Sequence, residues 1–418
     1  MVRAQLSAIA EQAFSTGMGP IGVAVSGGSD SLALLHLLHE HHPVYAVTVD
    51  HGLRAASAQE AKFVSDHCAD LGIAHSTLRW SGPSAQGNLM DQARRARFSL
   101  IGAWARTQGV AHVALGHTAD DQAETFVMRL ARESGLEGLA GMRPRFQAEG
   151  VTWHRPLLGQ TREHLRDYLR ELGRDWIDDP SNENPKFERV RVRQALQTLA
   201  PMGVTPGSLM AVVGHLAQAE QELTRYLSAL VAAHVTTPVG DVVIDRAAFR
   251  DVFSREMQRR LINAALLWVS GADYTPRAAK LAGVLDDWET RRDFTLHGCR
   301  ISVGDRVLRI TREARAVQGL QVPIGAQWDR WRVSRGTENE FPVDDPIANG
   351  ALSVSALGER GLLACPNWRE AELPRASLLA SPAIWQGENL VSAPLAGQEN
   401  GWKAQIACGA FAHSLIRR

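Results

Sequence analysis

The sequence predicts an α/β protein: an N-terminal domain with a parallel sheet, then a mainly helical domain, then a small mixed or β-rich domain. Three observations support this prediction. The first 200 residues alternate short β-rich runs with helical periods, which is typical of a parallel sheet covered by helices. Two prolines and two glycines interrupt the chain at 201–207, and longer helical periods follow. Beyond about residue 316 the chain is rich in proline, glycine and tryptophan.

The N-terminal domain has a clear order of elements. An amphipathic helix opens the chain and is too polar to be a signal peptide. Four runs are predicted as strands, at 21–25, 44–50, 74–80 and 110–117. Apolar residues recur at three- and four-residue spacing between them, which predicts helices at about 30–42, 57–71, 89–108 and 119–133. A further helix, 161–172, is expected to close the domain.

The rest of the chain predicts a long helix over 208–235, helices near 246–269 and 275–288, and a β-meander over 294–310 with glycine turns. We therefore expect domains at 1–200, 207–315 and 316–418. The second would be mainly helical with the short meander, and the third would be small and mixed or β-rich.

Composition indicates a multidomain globular protein in a reducing compartment. At about 150 residues per domain, 418 residues correspond to roughly two to four domains. Basic and acidic residues balance at 45 each, so a polyanion must be bound by a local patch. The four cysteines are widely separated, which excludes a CxxC metal or redox pair. No apolar run reaches about 18 residues, so we expect a cytoplasmic protein without a membrane span.

The loop after the first predicted strand has the character of a phosphate cradle. Its residues are Ser26, Gly27, Gly28, Ser29, Asp30 and Ser31. Two glycines let the backbone approach a ligand, the serines add hydroxyl donors, and the following helix presents N–H groups to an anion. The loop lacks the lysine of the Walker-A pattern, so an ordinary P-loop NTPase is excluded. The alternative is a glycine-serine turn with no ligand.

Two further motifs follow predicted strands. Asp50-His51-Gly52-Leu53-Arg54 ends the second strand, and Gly116-His117-Thr118-Ala119-Asp120-Asp121-Gln122-Ala123-Glu124-Thr125 ends the fourth and opens a helix. Because open α/β sheets bind ligands at the carboxyl ends of their strands, both motifs should converge on the edge that holds the serine-glycine loop. Asp121 and Glu124, at i and i+3, should share one helix face.

The loop resembles the SGGxDS loop of PP-loop ATP pyrophosphatases, and the other motifs resemble those of the tRNA(Ile)-lysidine synthase family. That family also shows an AR..R[YF] helix, an RPLL segment and a DPSN turn before clustered arginines. The corresponding residues here are Ala93-Arg94, Arg97-Phe98, 155–158, Asp179-Pro180-Ser181-Asn182 and Arg189 to Arg193. Val190 stands where the family usually has asparagine. The resemblance covers about residues 20–195.

The resemblance implies a PP-loop (adenine nucleotide alpha hydrolase-like, Rossmann-like) domain and an ATP- and Mg²⁺-dependent ligase. Such an enzyme joins L-lysine to C2 of cytidine 34 in the CAU anticodon of tRNA(Ile). It forms an adenylated cytidine, releases pyrophosphate and AMP, and changes codon reading from AUG to AUA and identity from Met to Ile. The resemblance also implies a homodimer, a tRNA-binding role for the domain 207–315 and a role in tRNA recognition for 316–418.

The implied roles fall on residues of the motifs. Catalysis is expected from Asp30, Asp121 and Glu124, with the last two also binding the lysine ammonium and Asp30 holding Mg²⁺. A carboxylate would accept a proton from the amine, whose pKa is roughly 10.4 in free lysine. The expected ATP-binding residues are Ser26, Gly27, Gly28, Ser29, Asp30, Ser31, Asp50, His51, Arg97 and His117. The expected tRNA-binding residues are Arg189, Arg191 and Arg193.

Structural explanations compete with these roles. Acidic residues behind Thr118 are favoured by the helix dipole whatever their function. The basic cluster at 186–193 could be a solvated face. Four histidines, His36, His39, His41 and His42, could suggest a metal, although histidine also suits a helix C-terminus. The tryptophans after residue 316 could stack on RNA bases, but we expect them to pack a small core.

Two other functions remain open at this level. One is another PP-loop reaction, such as tRNA thiolation or amide synthesis; the isolated cysteines and the absence of a recognisable glutaminase domain argue against it. The other is a non-catalytic ATP-binding module. The joint presence of Asp30, Asp121 and Glu124 argues against that second alternative.

Overall fold

The computed structural model of the chain describes residues 2–15, 17–52, 57–82, 89–178, 184–272, 274–336 and 352–415. The motif positions Leu53, Arg54 and Asp179 to Asn182 lie outside the described residues. The chain divides into two compact units, Met1–Glu222 and Leu223–Arg418.

The first unit contains a mostly parallel sheet. Its strands are β1 (Ile21–Ala24), β2 (Val44–Asp50), β3 (Ala74–Arg79), β4 (His112–Leu115), β5 (Arg145–Ala148) and β6 (Val151–His154). Its helices are α1 (Val2–Gln12), α2 (Ser29–His39), α3 (Ser57–Asp70), α4 (Leu89–Thr107), α5 (Ala119–Leu130), α6 (Leu136–Leu139), α7 (Arg162–Glu171), α8 (Glu188–Leu199) and the first part of α9 (Pro206–His234). The predicted α/β fold is confirmed.

Strand order places the candidate loops side by side. The sheet runs β3-β2-β1-β4-β6-β5, and the pairs β1–β2, β2–β3, β1–β4 and β4–β6 are parallel. From β1 the chain continues to β2 and β3 on one side of β1, and it later returns to form β4 on the other side of β1. This reversal between β1 and β4 makes a crevice at their carboxyl ends, where open α/β sheets bind ligands.

Packing on both faces explains the sequence pattern of this unit. Helix α2 is buried along nearly its whole length, which accounts for its continuous run of leucines. It belongs to a core that also includes Leu6 of α1 and Leu165 of α7. On the other face Ile101 and Trp104 of α4 pack with Trp153 of β6.

The β5–β6 hairpin was not predicted. Each strand has only four residues, and β6 pairs antiparallel with β5 across a two-residue turn, Glu149-Gly150. Both turn residues have positive φ, 54° and 72°, as a type I′ hairpin turn requires. Glutamate is an uncommon residue at such a position, so the sequence gives a weak turn signal.

The second unit is built from antiparallel strands and helices. Its strands are β7 (Val235–Thr236), β8 (Val242–Asp245), β9 (Asp293–Leu296), β10 (Cys299–Val303), β11 (Val307–Arg312), β12 (Gln321–Pro323), β13 (Trp331–Arg335), β14 (Leu352–Ala356), β15 (Pro382–Gln386), β16 (Asn389–Ser392) and β17 (Trp402–Ile406). Its helices, besides the end of α9, are α10 (Arg246–Asp251), α11 (Arg255–Ser270), α12 (Ala278–Asp287), α13 (Gly358–Leu363), α14 (Arg375–Leu379) and α15 (Phe411–Ser414).

The described strands of this unit form sheets in the orders β7-β8-β11-β10-β9, β12-β14-β15-β16 and β13-β17. The predicted meander is confirmed as β9-β10-β11. The single helix expected over 246–269 is instead two helices, because the Ser254 side chain caps a new start by accepting from the Met257 N–H. The predicted linker is also shorter than expected, since α9 already begins at Pro206.

Four tryptophans of the C-terminal region are buried, as expected: Trp328, Trp331, Trp385 and Trp402. The described residues include no group of three or more histidine, cysteine, aspartate or glutamate side chains suited to a metal ion. Among these residues no single helix is long and apolar enough to cross a membrane, and one pair bent by 97° passes by length and composition only.

Candidate active site

The serine-glycine loop is held in a fixed conformation between β1 and α2. The Ser31 Oγ accepts from the Ser26 N–H at 3.1 Å and donates to the Gly28 carbonyl at 3.0 Å. Gly27 has φ of +88°, and a Cβ there would lie 2.8 Å from Ile177 Cδ1. Glycine is therefore required by both conformation and space. The first N–H groups of α2 lack intrahelical acceptors, which suits them to an anion.

This loop opens onto a cavity of about 1510 Å³ in the first unit. The cavity is lined by residues from the ends of β1, β2 and β4 and from α2, α4, α7 and α8. Those predicted to have a functional role are Ser26, Gly28, Ser29, Asp30, Ser31, His51, Arg97, His117, Asp121, Arg189 and Arg193. The motifs that lie far apart in sequence therefore meet at one edge of the sheet.

Asp30, Asp121 and Glu124 meet at one guanidinium, that of Arg162. Its Nε donates to Asp30 Oδ2 at 3.0 Å, and its terminal nitrogens lie 3.7 Å from Asp121 Oδ1 and 3.9 Å from Glu124 Oε1. Burial alone would lower the pKa of Arg162, but Asp30 and Asp121 raise it, so the guanidinium stays charged. The three carboxylates form one electrostatic cluster.

Asp121 also caps helix α5. Its Oδ2 accepts from the Thr118 N–H at 2.9 Å and from the Thr118 hydroxyl at 3.0 Å, and Thr118 Oγ1 accepts from the Asp121 N–H in return. Burial acts to raise the pKa of Asp121, but Arg162 and the Thr118 hydrogen bond outweigh it and lower that pKa below its ordinary value. Asp121 is thus ionised, and its Oδ1 faces the cluster.

Glu124 is the most deeply buried of the three, with 2% of the residue exposed. The Arg193 Nε and a terminal nitrogen lie 2.9 Å and 2.8 Å from its Oε1. Its Oε2 is buried and has no hydrogen-bond partner among the described residues. Burial raises the pKa of Glu124 above its ordinary value in spite of Arg193. Burial likewise raises the pKa of Asp30 against the effect of Arg162.

His117 lies at the end of β4 as a neutral side chain. Its Nδ1 accepts from the Arg155 Nε at 3.1 Å, so the proton of the neutral ring is on Nε2. Burial, together with Arg155 and Arg97, lowers the pKa of His117 to about 3 against the effect of Asp121. His117 can therefore offer a hydrogen bond to a phosphate but no positive charge.

Positive charge is supplied by arginines instead. Burial and the neighbouring Arg94 and Arg189 lower the pKa of Arg97 to about 10, which leaves it charged at neutral pH. Arg189 is exposed and lies on the cavity wall. An anion bound beside these arginines would reduce the repulsion between their positive charges.

The other predicted ATP residues differ in position. His51 lines the cavity, and burial and Arg97 lower its pKa. Its Nδ1 is buried with no hydrogen-bond partner among the described residues. Asp50 is not among the described residues that line the cavity; its Oδ1 accepts from the Gly52 N–H at 2.9 Å and closes the turn after β2.

The three arginines predicted to bind tRNA have different environments on α8. Arg191 donates to the carbonyls of Pro185 and Lys186 at 3.0 Å and 3.1 Å, and so supports the loop before the helix. Arg193 is paired with Glu124. Arg189 is the member of the set whose exposed side chain lies at the cavity wall beside Arg97.

Sequence reasoning missed Arg162 and Arg155. Arg162 is the first residue of α7, where the helix dipole disfavours a cation, and that mismatch was the available signal. Arg155 begins the RPLL segment. It is 7% exposed, donates to the Arg143 carbonyl at 2.7 Å and lies 4.2 Å from the centre of the Phe146 ring, so it is built into the wall behind His117.

The fold and this loop define a class of protein. Residues 2–200 match the family model of the PP-loop domain. The chain is therefore an ATP-binding enzyme of the PP-loop type.

The whole chain is similar to one family within this class. It is 46% identical to a tRNA(Ile)-lysidine synthase of Ruegeria pomeroyi over 93% of this chain and 91% of that protein. The enzyme of the same name from Hyphomonas neptunium is 41% identical over 72% of this chain and 82% of its own. The enzyme of that name from Mesorhizobium japonicum is 35% identical over 88% of this chain and 82% of its own. The chain belongs to the tRNA(Ile)-lysidine synthase family and is a ligase that modifies tRNA.

Proposed function

We propose that this protein joins L-lysine to C2 of cytidine 34 in the CAU anticodon of tRNA(Ile), with ATP as the energy source. The observation that carries the proposal is the cluster that Asp30, Asp121 and Glu124 form around Arg162. Asp30, Asp121 and Arg162 line the same cavity as the serine-glycine loop. The loop suits a triphosphate, and the carboxylates suit an ammonium group. A ligase that activates one substrate with ATP and attacks it with an amine needs both.

In the first step the O2 of cytidine attacks the α-phosphorus of ATP, and pyrophosphate leaves. The backbone of the Ser26–Ser31 loop and the start of α2 would hold the leaving pyrophosphate. Arg97 would stabilise the negative charge that develops, and the His117 Nε2–H would donate a hydrogen bond. His51, with its unpartnered buried Nδ1, would complete the nucleotide site.

In the second step the lysine ε-amine attacks C2, the bond from C2 to O2 breaks, and AMP leaves with that oxygen. The ionised Asp121 would orient the ammonium group before it loses its proton. Glu124 is suited to accept that proton, because a raised pKa makes a carboxylate a better base near neutral pH. The product AUA-reading tRNA would carry isoleucine identity.

Mg²⁺ would be held mainly by the phosphates. This ion usually binds proteins through one or two carboxylates and substrate oxygens. Asp30 belongs to the loop and offers a hard oxygen ligand, although its two oxygens are engaged by the Ser29 hydroxyl at 3.0 Å and by Arg162. The residues therefore fit a metal that arrives with ATP, and the ion would neutralise the polyphosphate.

The RNA would enter where Arg189 lies exposed at the cavity wall. Arginine side chains bind phosphates in a bidentate manner, so Arg189 would hold the backbone beside the target base. Regions 207–315 and 316–418 would distinguish one tRNA from another, and the reaction would take place in the cytoplasm.

The proposal is tested by incubating the full chain with ATP, Mg²⁺, radiolabelled lysine and a transcript of tRNA(Ile) with the CAU anticodon. Label is expected in the RNA, with one pyrophosphate and one AMP formed per lysine incorporated. The elongator methionine tRNA shares the anticodon and is the control substrate, which should take up little label. RNA that stays unlabelled, or equal labelling of the two tRNAs, would contradict the proposed specificity.

A further inference from the structure

Arg162 stands between the phosphate-binding loop and the carboxylates proposed to receive lysine. Its Cα is fixed by neighbouring backbone contacts: the Arg162 N–H donates to Asp120 Oδ2 at 2.7 Å, and the Ala119 N–H donates to the Gln160 carbonyl at 2.8 Å. These bonds tie the start of α7 to the start of α5. A change of contacts by the guanidinium therefore requires only rotation of its side chain.

The contacts of this guanidinium are uneven. With the described residues it makes one hydrogen bond, to Asp30 at 3.0 Å, while its distances to Asp121 and Glu124 are 3.7 Å and 3.9 Å, too long for hydrogen bonds. Arg193, in contrast, holds Glu124 through two nitrogens at 2.9 Å and 2.8 Å. Electrostatic attraction without hydrogen bonds thus holds Arg162 near Asp121 and Glu124, and its side chain is 21% exposed at the cavity.

The cluster offers an acceptor for one more cation. Asp30, Asp121 and Glu124 lie close to the guanidinium groups of Arg162 and Arg193, and Arg97 and Arg189 also act on Asp121 by charge. Glu124 Oε2 is buried without a hydrogen-bond partner among the described residues. Glu124 is not among the described residues that line the cavity, whereas Arg162 and Arg193 are. A ligand ammonium that reaches Glu124 from the cavity has to displace one of these two guanidinium groups, and Arg162 is the one without a hydrogen bond to Glu124.

We propose that Arg162 is a positioning residue that couples ATP binding to lysine binding. This inference rests on the proposed function. Without nucleotide, the guanidinium offsets part of the negative charge of the three carboxylates and blocks the amine site. When a polyphosphate occupies the neighbouring loop, the guanidinium turns from Asp121 and Glu124 toward the phosphates. The lysine ammonium then takes its place, so that lysine binds well only after ATP.

The test measures lysine affinity by calorimetry, with and without a non-hydrolysable ATP analogue and Mg²⁺. In the unmodified protein the analogue should tighten lysine binding at least about fivefold, the lower end of common coupling between sites. Arg162→Met should bind lysine without the analogue, and the analogue should then change the affinity less than about twofold. Arg162→Lys keeps the charge and should retain part of the coupling.

Arg170→Met is the matched control. Arg170 lies on the same helix, is exposed and pairs with Glu163 and Asp167, so the full coupling should remain. If Arg162→Met does not fold, Arg162→Lys still tests the proposal, since coupling as strong as in the unmodified protein would overturn it. Equal lysine affinity with and without analogue in the unmodified protein would also overturn it. Lysine binding to none of the proteins under any condition would instead contradict the proposed function.

Discussion

Asp121 combines a structural and a chemical role through different oxygens. Its Oδ2 closes the capping box with Thr118, while its Oδ1 faces Arg162 at 3.7 Å. The sequence offered these roles as competing explanations, a favourable residue in a first helical turn or a ligand for an ammonium group. In the structure they are compatible, because the cap orients the carboxylate that faces the cluster.

Substitution of Asp121 by asparagine separates the two roles. The amide oxygen can still accept the Thr118 N–H, so the start of α5 should persist, but the charge is lost. A hydrogen bond to a charged group is worth about 1.5–3 kcal/mol, so the KM for lysine should rise about tenfold or more. The KM for ATP should change less than about threefold. Steady-state kinetics with each substrate varied in turn measures both values.

Asp120→Asn provides the comparison for this prediction. Asp120 lies in the same helical turn and accepts from the Arg162 N–H, a bond that the amide oxygen can also accept. Asp120→Asn should raise the KM for lysine less than Asp121→Asn does. Equal increases in the KM values for lysine and ATP after Asp121→Asn would make Asp121 a residue of the ATP or metal site.

The three carboxylates of the site could be predicted from the sequence, whereas Arg162 could not. Asp30, Asp121 and Glu124 lie in short motifs directly after strands, where the fold class alone brings side chains to the ligand edge. Arg162 is 132 positions from Asp30 in the chain, and their contact depends on how α7 packs against the start of α5. Neither a local motif nor the spacing of apolar residues indicates that contact.

At the scale of elements, α8 distributes its arginines around the helix. Positions i and i+4 share a face, so Arg189 and Arg193 both reach the cavity, whereas Arg191 donates to the preceding loop. Val190 is buried at the cavity wall. The family's usual asparagine would make the wall more polar at this point.

Arg189→Ala should weaken tRNA binding more than Arg191→Ala does. Arg189 is exposed at the cavity wall, and loss of one contact to a single-stranded phosphate should reduce the slope of log affinity against log salt by about 0.7. Lysine affinity should stay similar. Filter binding of the tRNA over a series of salt concentrations measures the slope. An unchanged slope for Arg189→Ala, or a larger change for Arg191→Ala, would remove Arg189 from the RNA surface.

Elements were predictable where periodicity was strong. The four predicted strands and the helices between them are found within a few residues of their predicted bounds, because alternation and helical spacing are local properties. The β5–β6 hairpin was missed because four-residue strands show little alternation. The split between α10 and α11 depends on one cap, Ser254, inside a continuous apolar pattern.

At the scale of the whole molecule, the second unit contains contacts across the predicted boundary at 315–316. Asp241, 2% exposed, accepts from Arg309 of β11 at 2.7 Å and from the Ser377 hydroxyl of α14 at 2.6 Å. The Trp268 Nε1–H donates to the Gly409 carbonyl at 3.0 Å. Phe411 belongs to the same core as the helices and meander that precede the boundary. The expected domains 207–315 and 316–418 thus share a buried polar link and part of a core.

This sharing predicts that both parts lose stability together. Asp241→Ala removes the carboxylate from a buried pair and leaves Arg309 without it, which typically costs about 3–5 kcal/mol. For a unit of this size the Tm should fall by about 10 °C. Hydrogen exchange of the full chain should show lower protection in β8 to β11 and in β14 to β16 alike. Asp251→Ala, at an exposed ion pair with Arg250, is the control and should change neither. Reduced protection confined to one of the two segments would mean that 207–315 and 316–418 unfold as separate domains, with the Asp241 link contributing little to either.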